Sequence, residues 1–166
     1  TIEFRAWDQT SGSAGTKVDV SSNGVSTPYS TATETASIFV DAINDAPVLD
    51  NSGTETLDAQ AEDYGAPVGA VGTVITDIVL IGGNVEDVDA NSQTGVAIIA
   101  ADNSDGTWWY TTDSGSNWSL LGAVSDTAAR VLNASSNTRI YFQSETAFNG
   151  TVTDAITFRA WDQSSG

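Results

Sequence analysis

Acidic and amide side chains gather in four short groups of this sequence, each where a predicted strand ends. The groups are Asp41 with Asn44 and Asp45; Glu62 with Asp63; Glu86 and Asp87 with Asp89 and Asn91; and Asp8 with its counterpart Asp162. The chain contains no His and no Cys, so oxygen is the metal-ligating atom that these groups offer. Oxygen ligands suit a hard cation, and a set of about six to eight oxygens suits Ca²⁺ best. We therefore predict calcium binding.

The spacing of Asp87 and Asp89 is part of this argument. On an extended backbone, residues two positions apart point to the same side and can reach one ion. The alternative is a solvated acidic surface, which is the usual role of aspartates in proteins. A repeated unit with a matching acidic junction favours calcium over that alternative.

Charge and composition exclude several function classes. The 166 residues include 22 acidic and 5 basic side chains, for a net charge of −17. Nucleic acids and anionic membranes both require a cationic face, so we expect neither as a partner. The chain has no imidazole base, no thiolate and no zinc or copper site, because it lacks His and Cys. It also lacks Met, so we expect a piece of a longer chain.

A sequence repeat defines the expected organisation. Residues 1–12 and 155–166 are identical at nine of twelve positions, with Phe4 matching Phe158 at a spacing of 154. This predicts a tandem array with a period near 154 residues, in which neighbouring identical repeats are the natural partners. The expected divisions are the C-terminal half of one repeat (1–43), a calcium-binding junction (44–48), and the N-terminal and middle part of the next repeat (49–166).

Short runs of Val, Ile, Thr and aromatic residues, separated by turn residues, predict an all-β fold with two packed sheets. The expected strands are 2–8, 34–42, 54–59, 72–80, 95–101, 107–112, 117–121, 128–132, 138–143 and 154–161. The four residues 113–116 are expected to form a hairpin turn. Residues 126–132 could form one helical turn.

The order of these motifs resembles the calcium-binding cadherin repeat. The matching elements are Ala6-Trp7-Asp8, the junction Asp41…Asn44-Asp45-Ala46-Pro47, the pair Glu62-Asp63, and Asp87-x-Asp89-x-Asn91. The segments NDAPVLD, GTWWYTTDSG and ITFRAWDQ are similar to the cadherin-like extender repeats of giant bacterial RTX-type adhesins, and the resemblance covers nearly the whole chain. Two features depart from the cadherin pattern: the period is longer, and Asp63 stands where cadherins usually have Asn.

This resemblance implies an Ig-like or cadherin-like β-sandwich, cut in mid-domain, that serves as a calcium-rigidified spacer. The parent would be exported by a one-step (type I) secretion system to the surface of a Gram-negative bacterium, where it would project a distal binding region for adhesion and biofilm formation. The implied ligands of the central junction are Asp41, Asn44, Asp45, Asp87, Asp89, the backbone of Asn91, and Asp162. Glu62 and Asp8 would face the junctions at the two outer ends.

A carbohydrate-binding module is the alternative function. Trp108 and Trp109 must point to opposite faces of their strand, so one is expected in the core and the other could lie exposed beside Trp118. Trp109 and Trp118 would then form a stacking platform for a sugar. The simpler alternative is that a Trp at the edge of a sandwich covers a neighbouring loop. We do not expect an enzyme, because no pair of carboxylates is set across a cleft.

Head-to-tail self-association is the final expectation. Residues 1–43 supply two strands, which are marginal alone, and residues 49–166 lack a counterpart of strand 34–42. The link from Ile43 to Val48 spans at most about 17 Å, whereas a ten-residue strand is about 33 Å long, so completion within one chain is disfavoured. Residues 13–43 of one molecule would instead complete the next, with 1–12 and 155–166 competing for one place.

Overall fold

The computed structural model describes residues 1–80 and 82–165, and the regular structure of these residues is almost entirely β. Their strands are β1 (Ile2–Phe4), β2 (Glu34–Ala36), β3 (Val48–Leu49), β4 (Thr73–Val74), β5 (Val85–Glu86), β6 (Gly95–Ala101), β7 (Gly106–Thr111), β8 (Ser119–Leu120), β9 (Arg130–Asn133), β10 (Arg139–Ser144) and β11 (Ile156–Trp161). A 3₁₀ turn at Ile75–Asp77 is the one helical element among them. The all-β prediction is confirmed.

The chain forms two compact units, and the first is Thr1–Ala42. In this unit β1 pairs antiparallel with β2, with Ile2 opposite Ala36, and an isolated bridge joins Trp7 to Tyr29. Every residue of the unit is at least partly exposed to solvent. A two-stranded pair without a buried core has little stability of its own.

The described residues of the second unit, Ile43–Gly166, form three antiparallel sheets. One has the strand order β4-β10-β7-β8, another β11-β6-β9, and β3 pairs with β5. The core takes Val96, Ile98 and Leu132 from the second of these sheets and Trp108 and Ile140 from the first. The inner faces of the two larger sheets therefore pack against each other, which is consistent with a β-sandwich.

The predicted hairpin is present between β7 and β8. Ser114 and Gly115 in its turn both have positive φ, at 59° and 81°. The carboxylate of Asp113 accepts hydrogen bonds from the side chain of Asn117 (2.7 Å), from the backbone of Asn117 (2.9 Å) and from the hydroxyl of Thr111 (2.7 Å). These donors stabilise the charged form and lower the pKa of Asp113 to about 2.

Most predicted strands exist, with shifted ends. The segments 95–101, 107–112, 138–143 and 154–161 correspond to β6, β7, β10 and β11, and the segments 2–8, 34–42, 117–121 and 128–132 contain the shorter or shifted β1, β2, β8 and β9. Of the segment 72–80 only β4 is a strand, because the backbone turns into the 3₁₀ helix at Ile75. Gly72 precedes β4 with a φ of +74°, and a side chain there would collide with the carbonyl oxygen of Ile140.

Two local predictions are wrong. Residues 54–59 do not form a strand, and the backbone N–H of Asp58 donates instead to the hydroxyl of Thr73 (2.7 Å). Residues 126–132 contain no helical turn. The chain bridges Ser125 to Ala128 in a tight turn and then enters β9.

Candidate metal centre

The motif that occurs twice in the sequence has the same local structure twice. After β11, the Oδ1 atom of Asp162 accepts hydrogen bonds from the backbone N–H (2.9 Å) and the hydroxyl (2.7 Å) of Ser164. After β1, the Oδ1 atom of Asp8 accepts the same two bonds from Thr10, at 2.9 Å and 2.7 Å. Both are Asx turns, in which a short acidic side chain replaces a backbone acceptor. The Thr10 donors, the backbone N–H foremost, lower the pKa of Asp8.

The tryptophan before each aspartate closes the same loop. The indole Nε1 of Trp161 donates to the carbonyl of Ser165 (2.6 Å), and that of Trp7 donates to the carbonyl of Ser11 (2.8 Å). The two segments therefore share their hydrogen bonds as well as their residues. In both, the indole fixes the loop that carries the acidic group.

Residues from the predicted junction contact this loop in the second unit. The side-chain amide of Asn44 donates to Oδ2 of Asp162 (2.8 Å), and the backbone N–H of Asp45 donates to Oδ2 of Asp89 (2.9 Å). Hydrogen bonds lower the pKa of Asp162 to about 2, and the bond from the Asn44 amide contributes most, followed by those from Ser164. The linker is thus held against two acidic loops that lie far apart in the sequence.

Asp87 completes this group. Its Oδ1 atom accepts a hydrogen bond from the backbone N–H of Asp89 (2.9 Å), which closes an Asx turn. Neither Asp87 nor Asp89 lies in a strand, and the chain turns from Asp89 through Asn91, whose φ is 62°. The Oδ2 atom of Asp87 is buried and has no hydrogen-bond partner among the described residues. An unpartnered buried carboxylate oxygen is unfavourable, and a bound cation would satisfy it.

The chemistry of these donors fits a hard cation, although their carboxylates are held apart in this conformation. Across the described ranges, no three acidic side chains converge closely enough to hold a metal ion. N–H groups of Asn44, Asp45 and Asp89 lie against the carboxylates and keep the like charges separated. Turning the Asn44 amide about its last bond would exchange the N–H donor for the carbonyl oxygen. Oxygen atoms of Asn44, Asp87, Asp89 and Asp162 are therefore the candidate ligands.

Predicted ligands also occur in the first unit and on β5. Asp8 and Asp41 belong to the first unit, and the Asp8 carboxylate contacts Thr10. Glu86 is exposed on β5, in register with Val48 of β3. Strand pairing therefore places Glu86 beside the linker, with its carboxylate in solvent.

Glu62 and Asp63 form a second acidic cluster, apart from the carboxylates of Asp87, Asp89 and Asp162. The Oδ1 atom of Asp63 accepts a hydrogen bond from the backbone N–H of Ala147 (3.0 Å), and Asn149 donates to Glu62 at 3.5 Å. These hydrogen bonds come from the loop between β10 and β11. Among the described residues, neither carboxylate contacts Asn44, Asp87, Asp89 or Asp162.

The tryptophans of the β7–β8 hairpin have different environments. Trp108 is buried against Phe142, with ring centroids 4.8 Å apart. Trp109 is half-buried, and its indole donates to the side chain of Gln143 (3.0 Å). Trp108 therefore belongs to the core, and part of the Trp109 ring remains accessible.

Trp118 lies against Tyr141 in an edge-on arrangement, with ring centroids 6.0 Å apart. Its indole donates to the carbonyl of Gly69 (3.1 Å), and the Tyr141 hydroxyl donates to the carbonyl of Gly65 (3.2 Å). Trp118 thus covers the loop that precedes β4, as the simpler alternative expects. Trp109 is the direct cross-strand neighbour of Tyr141.

Sequence reasoning missed two residues that position the site. Ser164 fixes the Asp162 carboxylate, and the side chain of Gln163 donates to the carbonyl of Thr94 (2.7 Å), just before β6. A signal for Ser164 was present, because the repeat has Thr10 at the equivalent position, and both hydroxyl residues follow their Asp by two. Nothing in the sequence pointed to the Gln163 contact.

Comparison with protein-family models, with curated proteins and with solved structures gave no match to this chain. The family resemblance therefore rests on the motifs alone. Within residues 1–80 and 82–165, no helix is long and apolar enough to cross a membrane.

Proposed function

We propose that this chain is a structural extender repeat of a bacterial surface adhesin, rigidified by Ca²⁺ at the junctions between neighbouring repeats. Its sandwich would be of the Ig-like or cadherin-like type, with one repeat ending and the next beginning at the junction 44–48. The observation that carries the proposal is the contact of Asn44 and Asp45 with Asp162 and Asp89, beside the unpartnered buried oxygen of Asp87.

The charge of the chain explains what calcium would contribute. At a net charge of −17, the acidic groups repel one another, and each Ca²⁺ would offset two units of that charge. The linker is short, and Pro47 restricts Ala46 to an extended conformation. A cation held jointly by the linker and the two loops would therefore fix the linker to the repeat that follows it and so reduce the freedom between repeats.

The proposed location is the extracellular surface of a Gram-negative bacterium. Extracellular calcium modules bind their ion with dissociation constants of about 10⁻⁴–10⁻³ M, so such a site would be filled outside the cell. The proposed role is structural and involves no catalysis. In support of this, the pKa of Asp162 is lowered, whereas a carboxyl that acts as a general acid needs a raised pKa.

Thermal melting with and without chelator tests the calcium requirement. We expect EDTA to lower the melting temperature, and Ca²⁺ added in excess to restore it. Mg²⁺ is the matched control, because it demands a smaller, octahedral set of ligands and should restore much less. A melting temperature unchanged by thorough chelation would remove calcium from the proposal.

Scattering from a protein of several repeats tests the spacer role. With calcium, neighbouring units should stand in line as a rod, and the chelated protein should become flexible. A maximum dimension that does not respond to calcium would contradict the rigid spacer while leaving calcium binding by a single unit intact.

A carbohydrate-binding module remains the second candidate, because Trp109 and Trp118 both lie beside Tyr141. Both indole N–H groups are engaged within the protein, so a sugar would have to stack on the remaining ring surface. A glycan array separates the two functions. If the chain is a spacer, no glycan on the array should bind. If it is a carbohydrate-binding module, at least one glycan should bind, and Trp109→Ala should abolish that binding.

A further inference from the structure

A large apolar groove opens in the second unit beside β11. It has a volume of about 1050 Å³ and an apolar floor formed by Ile78, by Ile140 and Phe142 of β10, and by Ile156 and Phe158 of β11. More polar segments, within residues 50–60 and 148–155, also line it. Protein interiors contain few voids larger than a water molecule. An opening of this size, bordered by two packed sheets, is a place where a further element can pack.

The strand that borders this groove has an open edge. In the order β11-β6-β9, β11 is the outer strand and pairs with β6 on one side. Among the described residues, its other edge has no strand partner. A row of free backbone N–H and C=O groups beside an apolar surface is a template for strand addition.

The first unit shows which strand pairs with this sequence. β1 carries the repeated copy of the β11 sequence, and it pairs antiparallel with β2, with Ile2 opposite Ala36. Ile156 is the counterpart of Ile2 in the repeat. The same pairing applied to β11 places Ile156 opposite Ala36 of another copy of this chain.

The residues after β2 have the side chains that the groove requires. Ile38, Phe39 and Val40 are 87%, 85% and 77% exposed, an unusual state for three consecutive apolar residues. In an antiparallel pair, directly opposite residues share a face, and successive residues alternate. In this register Ile38 lies opposite Asp154 and Val40 opposite Val152, two groove-lining residues just before β11. Ala36, Ile38 and Val40 would therefore lie on the face of Ile156, toward the groove, and Phe39 would point the other way.

We propose that the second unit is a strand acceptor, and that residues 34–43 of a second copy dock along β11 and the segment that precedes it, with Ile38 and Val40 in the groove. In this assembly β2 leaves β1 of its own chain and pairs with β11 of the other copy, whose sequence is nearly identical to that around β1. Little strand pairing is lost in this exchange, and apolar burial is gained. Each chain has one donor and one acceptor, so association is head-to-tail and forms open chains or rings.

The test uses the full chain in EDTA, so that calcium bridges between copies cannot produce the result. Light scattering with size exclusion is measured over a concentration series, at high salt to screen the repulsion between acidic copies. We expect the mass of the native chain to rise with concentration. The variant Ile38→Asp/Val40→Asp should weaken association by at least about tenfold, because it places charge in the groove.

Phe39→Asp is the matched control. It alters an equally exposed residue of the same segment, and it should associate like the native chain because Phe39 points away from the groove. All three side chains are exposed in the unassociated chain, so none of these variants should impair folding. Equal loss of association in Phe39→Asp and in the double variant would overturn the assigned face and register.

A labelled peptide of residues 31–43 tests the acceptor directly. Added to the full-length Ile38→Asp/Val40→Asp variant, whose own donor is disabled, the peptide should bind as measured by fluorescence anisotropy. A peptide with the same two Asp substitutions should not bind. Absence of native-peptide binding, or equal binding of the two peptides, would overturn the proposal, whatever the calcium experiments show.

Discussion

Replacing Asp162 by Ala should abolish stabilisation by calcium, whereas replacing Asp8 by Ala should leave it in place. The two aspartates lie in copies of one motif, and each accepts two hydrogen bonds from the hydroxyl residue two positions later. The carboxylate of Asp162 also accepts a hydrogen bond from the linker amide of Asn44. Comparing the two variants therefore distinguishes the effect of losing the linker contact and the ion from the effect of losing the local turn.

The expected size follows from one calcium site. An ion that binds only the folded state stabilises it by about 2.7 kcal/mol at a hundredfold excess over the dissociation constant. The site lies in the unit Ile43–Gly166, and for a unit of that size about 1 kcal/mol shifts the melting temperature by about 4 °C. Calcium should thus raise the melting temperature of the native chain and of Asp8→Ala by about 10 °C.

Differential scanning calorimetry of the native chain and both variants, in excess calcium and in EDTA, provides the measurement. The calcium-dependent shift of Asp162→Ala should be close to zero. The reasoning is refuted if Asp162→Ala keeps the full shift, because the ion then does not use this carboxylate. It is equally refuted if Asp8→Ala loses the shift to the same degree.

Three further predictions concern the fold and the linker. The pKa of Asp113 is about 2 in the fold and about 3.9 when unfolded, so its contribution to stability is complete above about pH 4 and is lost as the pH falls through about 2. The difference in melting temperature between the native chain and Asp113→Ala should shrink over that range, and a constant difference would contradict the hydrogen bonds assigned to Asp113. Asn44→Ala should move the pKa of Asp162 up toward its ordinary value in an NMR titration, and an unchanged pKa would mean that the linker contact is not made in solution. Ile98 is fully buried, so Ile98→Ala should lower the free energy of urea unfolding by about 2–5 kcal/mol, and a loss below about 1 kcal/mol would place Ile98 outside the core.

The sequence located the long strands because their residues are informative. β7 consists mostly of Thr and aromatic residues, and β6 and β10 each contain three β-branched or aromatic residues, whose burial on the inner face keeps the strands in register. β3 and β5 have two residues each, too few to show any periodicity, and they were missed. Residues 54–59 have strand-like composition, but no strand pairs with them.

The sequence predicted which residues belong to the candidate site better than it predicted how they are arranged. Asn44 and Asp162 are 118 residues apart, and no pattern specifies which carboxylate a linker amide will contact. The side chains of Asp87 and Asp89 were expected to point to the same side of an extended backbone. In the structure the short Asp87 side chain instead accepts a hydrogen bond from the backbone N–H of Asp89. Composition indicated the ligand chemistry, and the local turns decided the geometry.

The near-identity of β1 and β11 also has a consequence for the time course of folding. During synthesis, N-terminal segments fold first, and the loop between β1 and β2 is much shorter than the path from β2 to β11. A newly made chain therefore pairs β2 with β1 before β11 has been synthesised. That pairing is a ladder of three exposed residues on each strand, which opens at small free-energy cost. Fresh preparations should consequently begin as single chains and associate at a rate set by chain concentration, because the opening of β1 from β2 is easy.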